Sequence, residues 1–407
     1  MRFWAPALFG LLSALPVLIA LHMARGVAPL FVVMAVFALA WHVWPQRHAL
    51  TVGKPYLFLL AAFCLWAILS ALWAFDPVSN GLGALRMGAL MLGGLFLVSS
   101  ARRLDEAQAR LFRRFFILAY VVILLLIAID LLSGMQILRL SYALRGIYPA
   151  EDFNFSHDAK HRAVLLALLL PPAFLAARHE AGLKWTLGLA ALAALVIAAH
   201  RSETAILCLL AGPLAALLAF LRPKPVLWAG LIGLTVLFAA PAALMNNPPS
   251  AQAFGHAHPE LSPSLRHRFA IWEYALGRIS ERPILGHGFD AAREIGGREP
   301  KRHLDLGIDF YGHRYTPYFE PIPLHTHNGV IQLWLELGAV GAVIGAALLM
   351  LAWKGALSKA DPLRRAGSVA LFATAMVPML SSYGLFQNWW VGSVWIALAA
   401  LETETGA

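Results

Sequence analysis

Charge is scarce in this sequence. Of 407 residues, 13% are Asp, Glu, Lys or Arg and 60% are hydrophobic. Soluble domains hold about 25% charged and about 45–50% apolar residues, so a water-facing globule around one core is excluded. Mean hydropathy is +0.68. Cysteine is nearly absent. Cys64 and Cys208 both lie in apolar runs and define no disulfide framework. Neither a Gly-x4-Gly-Lys-Ser/Thr phosphate loop nor a dinucleotide fingerprint occurs. Any chemistry must then draw on a substrate that arrives activated, or on a gradient. Strong metal spacings such as His-Glu-x-x-His are also missing. His325-x-His327, His256-x-His258 and Asp305-x-x-x-Asp309 each offer only two ligands. Neither a metal nor a cofactor is expected.

What is present is a series of apolar runs of about 18 residues or more, where ~20 helical residues cross a bilayer. They are continuous in Leu, Ala and Val and lack the alternation of a β-barrel strand. The expected fold is all-α, a polytopic membrane protein of about twelve transmembrane helices. Spans are expected at 4–24, 27–44, 55–74, 82–100, 112–133, 162–178, 183–199, 202–221, 225–245, 326–353, 366–383 and 388–401. The run after Met1-Arg2 is longer than a signal-peptide core and another span follows it closely, so a retained first helix is expected.

The connections 46–54, 101–111, 178–184, 222–224 and 354–365 all carry Lys or Arg and fall on one side of a twelve-span chain. The positive-inside rule makes that side cytoplasmic, with both termini on the cytoplasmic side. The chain then divides into 1–245, with nine spans and an outer loop at about 134–161; 246–325, a large outer loop; and 326–407, with the last three spans and a cytoplasmic C-terminus. The larger loop is long enough to fold into short helices across the mouth of the bundle. The net charge of +10 points to anionic lipid or another anionic partner, not to nucleic acid.

Charged residues at membrane depth are costly and mark function by default. The hairpin 199-AHRSETA-205 places His200, Arg201 and Glu203 in a very short outer turn. Arg86 is expected about one turn inside the outer end of its span. The outer loops add Arg145, Arg266, Arg268 and Arg314, together implying a basic outer cavity. Arginine suits phosphate because its planar fork donates two parallel hydrogen bonds. For any single one, a solvated or snorkelling charge is the bland alternative. His325, Asn328, Gln332 and Glu336 are spaced as one helical stripe, which should face the bundle interior. A histidine at a helix N-terminus is held neutral, as a general base must be. A cap or interfacial hydrogen-bonding group is the plainer role for it.

The run 327-HNGVIQLWLELGAVG-341 resembles the His-Asn-x-x-Leu…Glu-x-Gly signature of the bacterial O-antigen ligase and polymerase superfamily, with Ile331 in place of the leucine. Upstream, 268-RFAIWEYALGRISERPILGHGFD-290 is similar to that family's second signature through Arg268, Trp272, Pro283, Gly286 and Gly288. The turn at Arg201 resembles a Ser-Arg element, here ordered His-Arg-Ser. The resemblance implies a glycosyltransferase of GT-C type. It would work by metal-independent inverting transfer on the periplasmic face. The donor would be O-antigen on undecaprenyl diphosphate, and the acceptor a sugar hydroxyl of lipid A–core oligosaccharide. By the same resemblance His327 is the base and Arg268 and Arg201 hold the diphosphate, with Asn328 beside the substrate. Arg86, Arg145, Arg266 and Arg314 are added from charge and side alone. Periodicity favours His325 and the motif favours His327. His327 is the expected base, because the periodicity presumes a helix that already includes residue 325. A polymerase or a protein O-oligosaccharyltransferase would use the same donor. A lipid-linked glycan transporter or a scaffold would need no such residues at the outer end.

Overall fold

The computed structural model of the protein describes residues 4–20, 26–40, 50–147, 159–309 and 312–403. In chain order the helices are α1 (Trp4–Ala20), α2 (Val27–Ala38), α3 (Lys54–Ser70), α4 (Pro77–Ala101), α5 (Glu106–Leu132), α6 (Gln136–Leu144), α7 (Lys160–Glu180) and α8 (Leu183–Ala199). They continue as α9 (Glu203–Leu221), α10 (Pro223–Leu244), α11 (Ala251–Ala257), α12 (Pro263–Glu281), α13 (Ala291–Arg298), α14 (Gly329–Leu357), α15 (Pro362–Ser381) and α16 (Asn388–Glu402). Starts follow capping chemistry. Asp105 and Gln108 form a capping box on α5, and the side chains of Asp76, Ser202 and Asp361 accept first-turn N–H groups of α4, α9 and α15.

Each expected span overlaps one of these helices, the span ends 21–24 and 41–44 lying outside the described residues, and α6, α11, α12 and α13 are additional. Seven helices, α3, α4, α5, α7, α9, α10 and α14, are long and apolar enough to cross a membrane; α1, α2 and α8 are shorter apolar helices. The protein is an all-α, multi-pass membrane protein. Apolar side chains such as Phe58, Leu195 and Val236 lie exposed on the outer helix faces, where lipid takes the place of water. Burial sorts the seven by position. In α7, 72% of the apolar stretch is buried, against 17% in α10, so α7 is central and α10 peripheral. Close helix pairs use small residues. Gly94 of α4 lies directly under the Trp395 ring of α16, where a Cβ has no room.

At one end, ion pairs tie together connections that are far apart in sequence. Arg102 and Lys359 both bind Glu402, at 2.9 Å each. Arg102 also donates to the Thr51 carbonyl at 2.8 Å. Buried Arg113 binds Glu106 at 2.7 Å and Glu180 at 2.8 Å. Arg113 also donates to Thr403 O at 3.2 Å, so four of the five basic connections, 46–54, 101–111, 178–184 and 354–365, contribute to one end of the bundle.

The segment between α10 and α14 forms a layer with its own small core, in which Ala251, Ala270 and Leu306 are buried and the Phe254 and Phe269 rings stack 3.7 Å apart. Two short antiparallel strands, β1 (Arg302–His303) and β2 (Tyr318–Phe319), close it. This layer is stitched into α14. At Gly338 the helix breaks, with φ 62° and ψ −165°, a conformation open essentially only to glycine. The break lies roughly 14 Å along the helix from Gly329. Its freed backbone groups are satisfied by the segment after α12. His287 N–H donates to Leu335 O at 2.9 Å, Gly288 N–H to Glu336 O at 2.8 Å, and Ala339 N–H to Pro283 O at 2.9 Å. Trp66 Nε1 from α3 donates to Leu337 O at 2.9 Å. Irregular backbone inside a membrane protein persists only where such partners exist. Pro283, Gly286 and Gly288 are therefore the docking strip for the Glu336–Gly338 break. Gly286 and Gly288 have φ of 70° and 105° and touch backbone at separations that exclude a Cβ.

Candidate active site

The HTHN sequence forms a tight turn before α14. Asn328 is the cap, its Oδ1 accepting from Val330 and Ile331 N–H at 3.0 and 3.2 Å. The helix therefore starts after the histidines, and the stripe drawn through His325 does not exist as a helical face. Gln332 and Glu336 are on the helix, both buried, and bond each other at 2.9 Å. Gln332 also accepts from Leu385 N–H at 2.8 Å, and Glu336 from Asp290 N–H at 2.7 Å. They fasten α14 to the turn before α16 and to the outer layer.

Both histidines nevertheless meet at one atom. His327 Nδ1 lies 2.7 Å and His325 Nε2 lies 3.1 Å from the Ser382 carbonyl. Their ring centroids are 4.3 Å apart. A carbonyl only accepts, so each facing nitrogen carries its hydrogen, and in the neutral rings the other nitrogen keeps a lone pair. For His327 that is Nε2. Burial, then neighbouring His325, pushes its pKa down to about 3, with Arg268 and His267 acting in the same sense. Burial lowers that of His325 as well. The pair is neutral at physiological pH. Gly384 lets His325 in, since a Cβ there would lie 3.0 Å from the ring.

Arginines flank the pair. Arg268 projects from α12 beside Trp272, whose Nε1 donates to Thr326 O at 2.9 Å and fixes the helix against the HTHN turn. Burial lowers the pKa of Arg268 and the Glu203 carboxylate opposes that shift, so the guanidinium stays charged. It makes no side-chain hydrogen bond among the described residues. Arg201 lies exposed in the α8–α9 turn with φ of 52°. The turn is held close by two contacts, Thr204 Oγ1 to Ser382 Oγ at 2.6 Å and Ser262 Oγ to Glu203 at 3.4 Å. Arg201 and His327, at φ 54°, are two of four non-glycine residues with positive φ among the described residues. Such strain concentrates at functional sites.

The remaining candidates lie elsewhere. Arg266 is fully buried in the outer layer, donating to Leu306 O at 2.6 Å under the Tyr315 ring. It anchors that layer and is closed to a substrate. Arg314 is exposed and paired with Asp305 at 2.7 Å. Arg145 makes local contacts to Ser141 O and the Tyr142 ring within α6. Arg86 is exposed and belongs to a second charged group with Asp290 and Arg293. Because α4 begins at Pro77 and not at 82, Arg86 lies roughly two and a half turns along it, not one. Ser382 carries no motif. It acts through a backbone carbonyl, which leaves no side-chain signature; only the polar break 381-SSYG-384 between two apolar runs marks the place. No cluster of three or more metal-ligating side chains occurs among the described residues.

Comparison with known proteins bears on this site directly. Residues 188–346 match the family described as O-antigen ligase. The matched stretch runs from α8 into α14 and contains Arg201, Arg268, His325 and His327, but not Ser382. Among curated proteins, a candidate polysaccharide ligase of Rickettsia conorii is 31% identical over 135 residues, 33% of this chain and 31% of that protein. One of Rickettsia bellii is 28% identical over 170 residues, 42% of this chain and 38% of its own length. One of Rickettsia typhi is 34% identical over 139 residues, 33% and 31% of the two chains. The aligned stretch thus spans about a third of each relative.

Proposed function

We propose that this protein is an inverting glycosyltransferase. It moves a polysaccharide from undecaprenyl diphosphate to a sugar hydroxyl of lipid A–core, on the periplasmic face of the bacterial inner membrane. One observation carries the reading. The Ser382 carbonyl fixes His327 with its Nδ1–H inward, and a neutral imidazole so held presents Nε2 as a base beside a charged Arg268. In the step, Nε2 takes the acceptor hydroxyl proton while the acceptor oxygen forms a bond to the anomeric carbon. The anomeric carbon–oxygen bond to the diphosphate breaks on the opposite side, and the leaving diphosphate keeps the electron pair. Arg268 and Arg201 stabilise the charge that gathers there. The donor is already activated, in keeping with a chain that has no nucleotide loop.

The test is transfer by the purified protein between undecaprenyl-diphosphate glycan and lipid A–core, with chelator present. Wild type is expected to form product. His327→Ala and Arg201→Ala are expected to lose roughly a hundredfold or more. Elongation of the lipid-linked glycan without transfer to lipid A–core would make the protein a polymerase instead.

A further inference from the structure

One cavity of the outer layer lies apart from the histidine pair. It encloses about 510 Å³, within the range of about 300–1,000 Å³ typical of small-ligand sites. Glu273, Tyr274, Gly277, Arg278 and Glu281 of α12 form one wall. Their spacing of three and four residues places them on a single stripe. Arg268 and Trp272 fall on the opposite side of the same helix. One helix therefore divides two sites.

The lining selects a ligand class. Arg278 binds Glu281 at 3.0 Å, and Arg302 approaches Glu299 at 3.9 Å. Glu273 is fixed by the N–H of Ala251 at 2.9 Å. Arg302 lies 4.8 Å from the Tyr274 ring centroid. Three carboxylates against two guanidiniums reject a phosphate or nucleic acid, and the charged walls reject a lipid tail. What remains is an uncharged ligand rich in paired donors and acceptors. Vicinal hydroxyls can donate to the carboxylates and accept from the guanidiniums, with a phenol adjoining. The groups are already held by one another, so little ordering is needed on binding. Gly277 supports the same conclusion. Glycine inside a helix costs about 1 kcal/mol relative to alanine, yet nothing lies within 4 Å of where its Cβ would be. No neighbour requires it; it keeps the cavity wall flat.

We infer that this cavity binds an uncharged segment of a glycan chain, away from the bond being transferred. The identity of the glycan rests on the transferase reading; the existence of the site does not. Its probe is the glycan released by mild acid from the lipid-diphosphate fraction of host membranes, tested by saturation-transfer NMR on the purified full chain. Wild type and His327→Ala should both saturate the sugar ring protons. Gly277→Leu, whose Cβ meets no neighbour within 4 Å and whose side chain adds bulk to the cavity wall, should weaken binding by at least about tenfold at an unchanged melting temperature. Should Gly277→Leu melt early, exposed Glu281→Gln decides by the same loss. Undiminished saturation in the variants, no saturation in wild type, or equal binding of the carboxymethylated, anionic glycan would overturn the inference. If His327→Ala retains transfer while Gly277→Leu loses binding, the catalytic reading falls and the glycan site stands.

Discussion

At the scale of single residues, the site is two histidines sharing one carbonyl. Folding holds His327 neutral down to about pH 3, whereas in an unfolded chain it takes a proton near its ordinary value of 6.5. Between those values the unfolded state binds more protons, so stability falls as pH drops through the window and is fully present above it. Melting curves of the detergent-solubilised protein should show this decline, and His327→Asn should make it shallower. The acid limb of the activity profile should lie below the usual imidazole range. Arg201 separates strain from charge. Arg201→Gly relieves a positive φ and should hold or raise stability by up to about 1 kcal/mol, yet lose transfer; a variant that keeps full transfer would remove Arg201 from the site. That His327 and Arg268 come near each other was legible, because a signature marks each of them. Arg266 was misread because a sequence does not distinguish an arginine facing a cavity from one buried against Leu306 and Tyr315. Asn328 was read as facing substrate, while its side-chain oxygen serves as a helix cap.

At the scale of elements, the two family-like signatures are one structural unit. The strip around Pro283, Gly286 and Gly288 supplies hydrogen-bond partners that a continuous α14 would not need. In the sequence Gly338 is marked only as the closing glycine of the Glu-x-Gly signature, within an apolar run. Its role appears only through a strand-like partner fifty residues upstream, and helical periodicity carries no information about such pairing. Gly338→Ala should cost about 3 kcal/mol or more, read as a drop in melting temperature with loss of transfer. The conservative control Gly297→Ala, where nothing lies within 4 Å of the added Cβ, should leave both unchanged.

At the scale of the whole molecule, the apolar runs placed the described helix ends to within about six residues, because membrane helices must satisfy their own backbone and cannot be much shorter than the bilayer. The layer over the bundle mouth was foreseen only as a long loop, since its short helices are held by Glu273, Arg266 and the stacked Phe254 and Phe269, not by strong periodicity. Orientation gives a direct prediction. In a chain freed of Cys64 and Cys208, Gly297→Cys should react with a membrane-impermeant thiol reagent added to the periplasmic side. Labelling only from the cytoplasm would invert the topology and end the transferase reading.

The broken helix also sets an order of assembly. During synthesis, residues 246–325 are made before α14 exists, yet their closing strip pairs with backbone in the middle of α14. The layer must therefore wait, unsealed, until α14 has formed and its carbonyls at Leu335 and Glu336 become available. Ser382 is made later still, so a chain stalled just after α14 has both histidines of the candidate site and lacks the carbonyl that holds them.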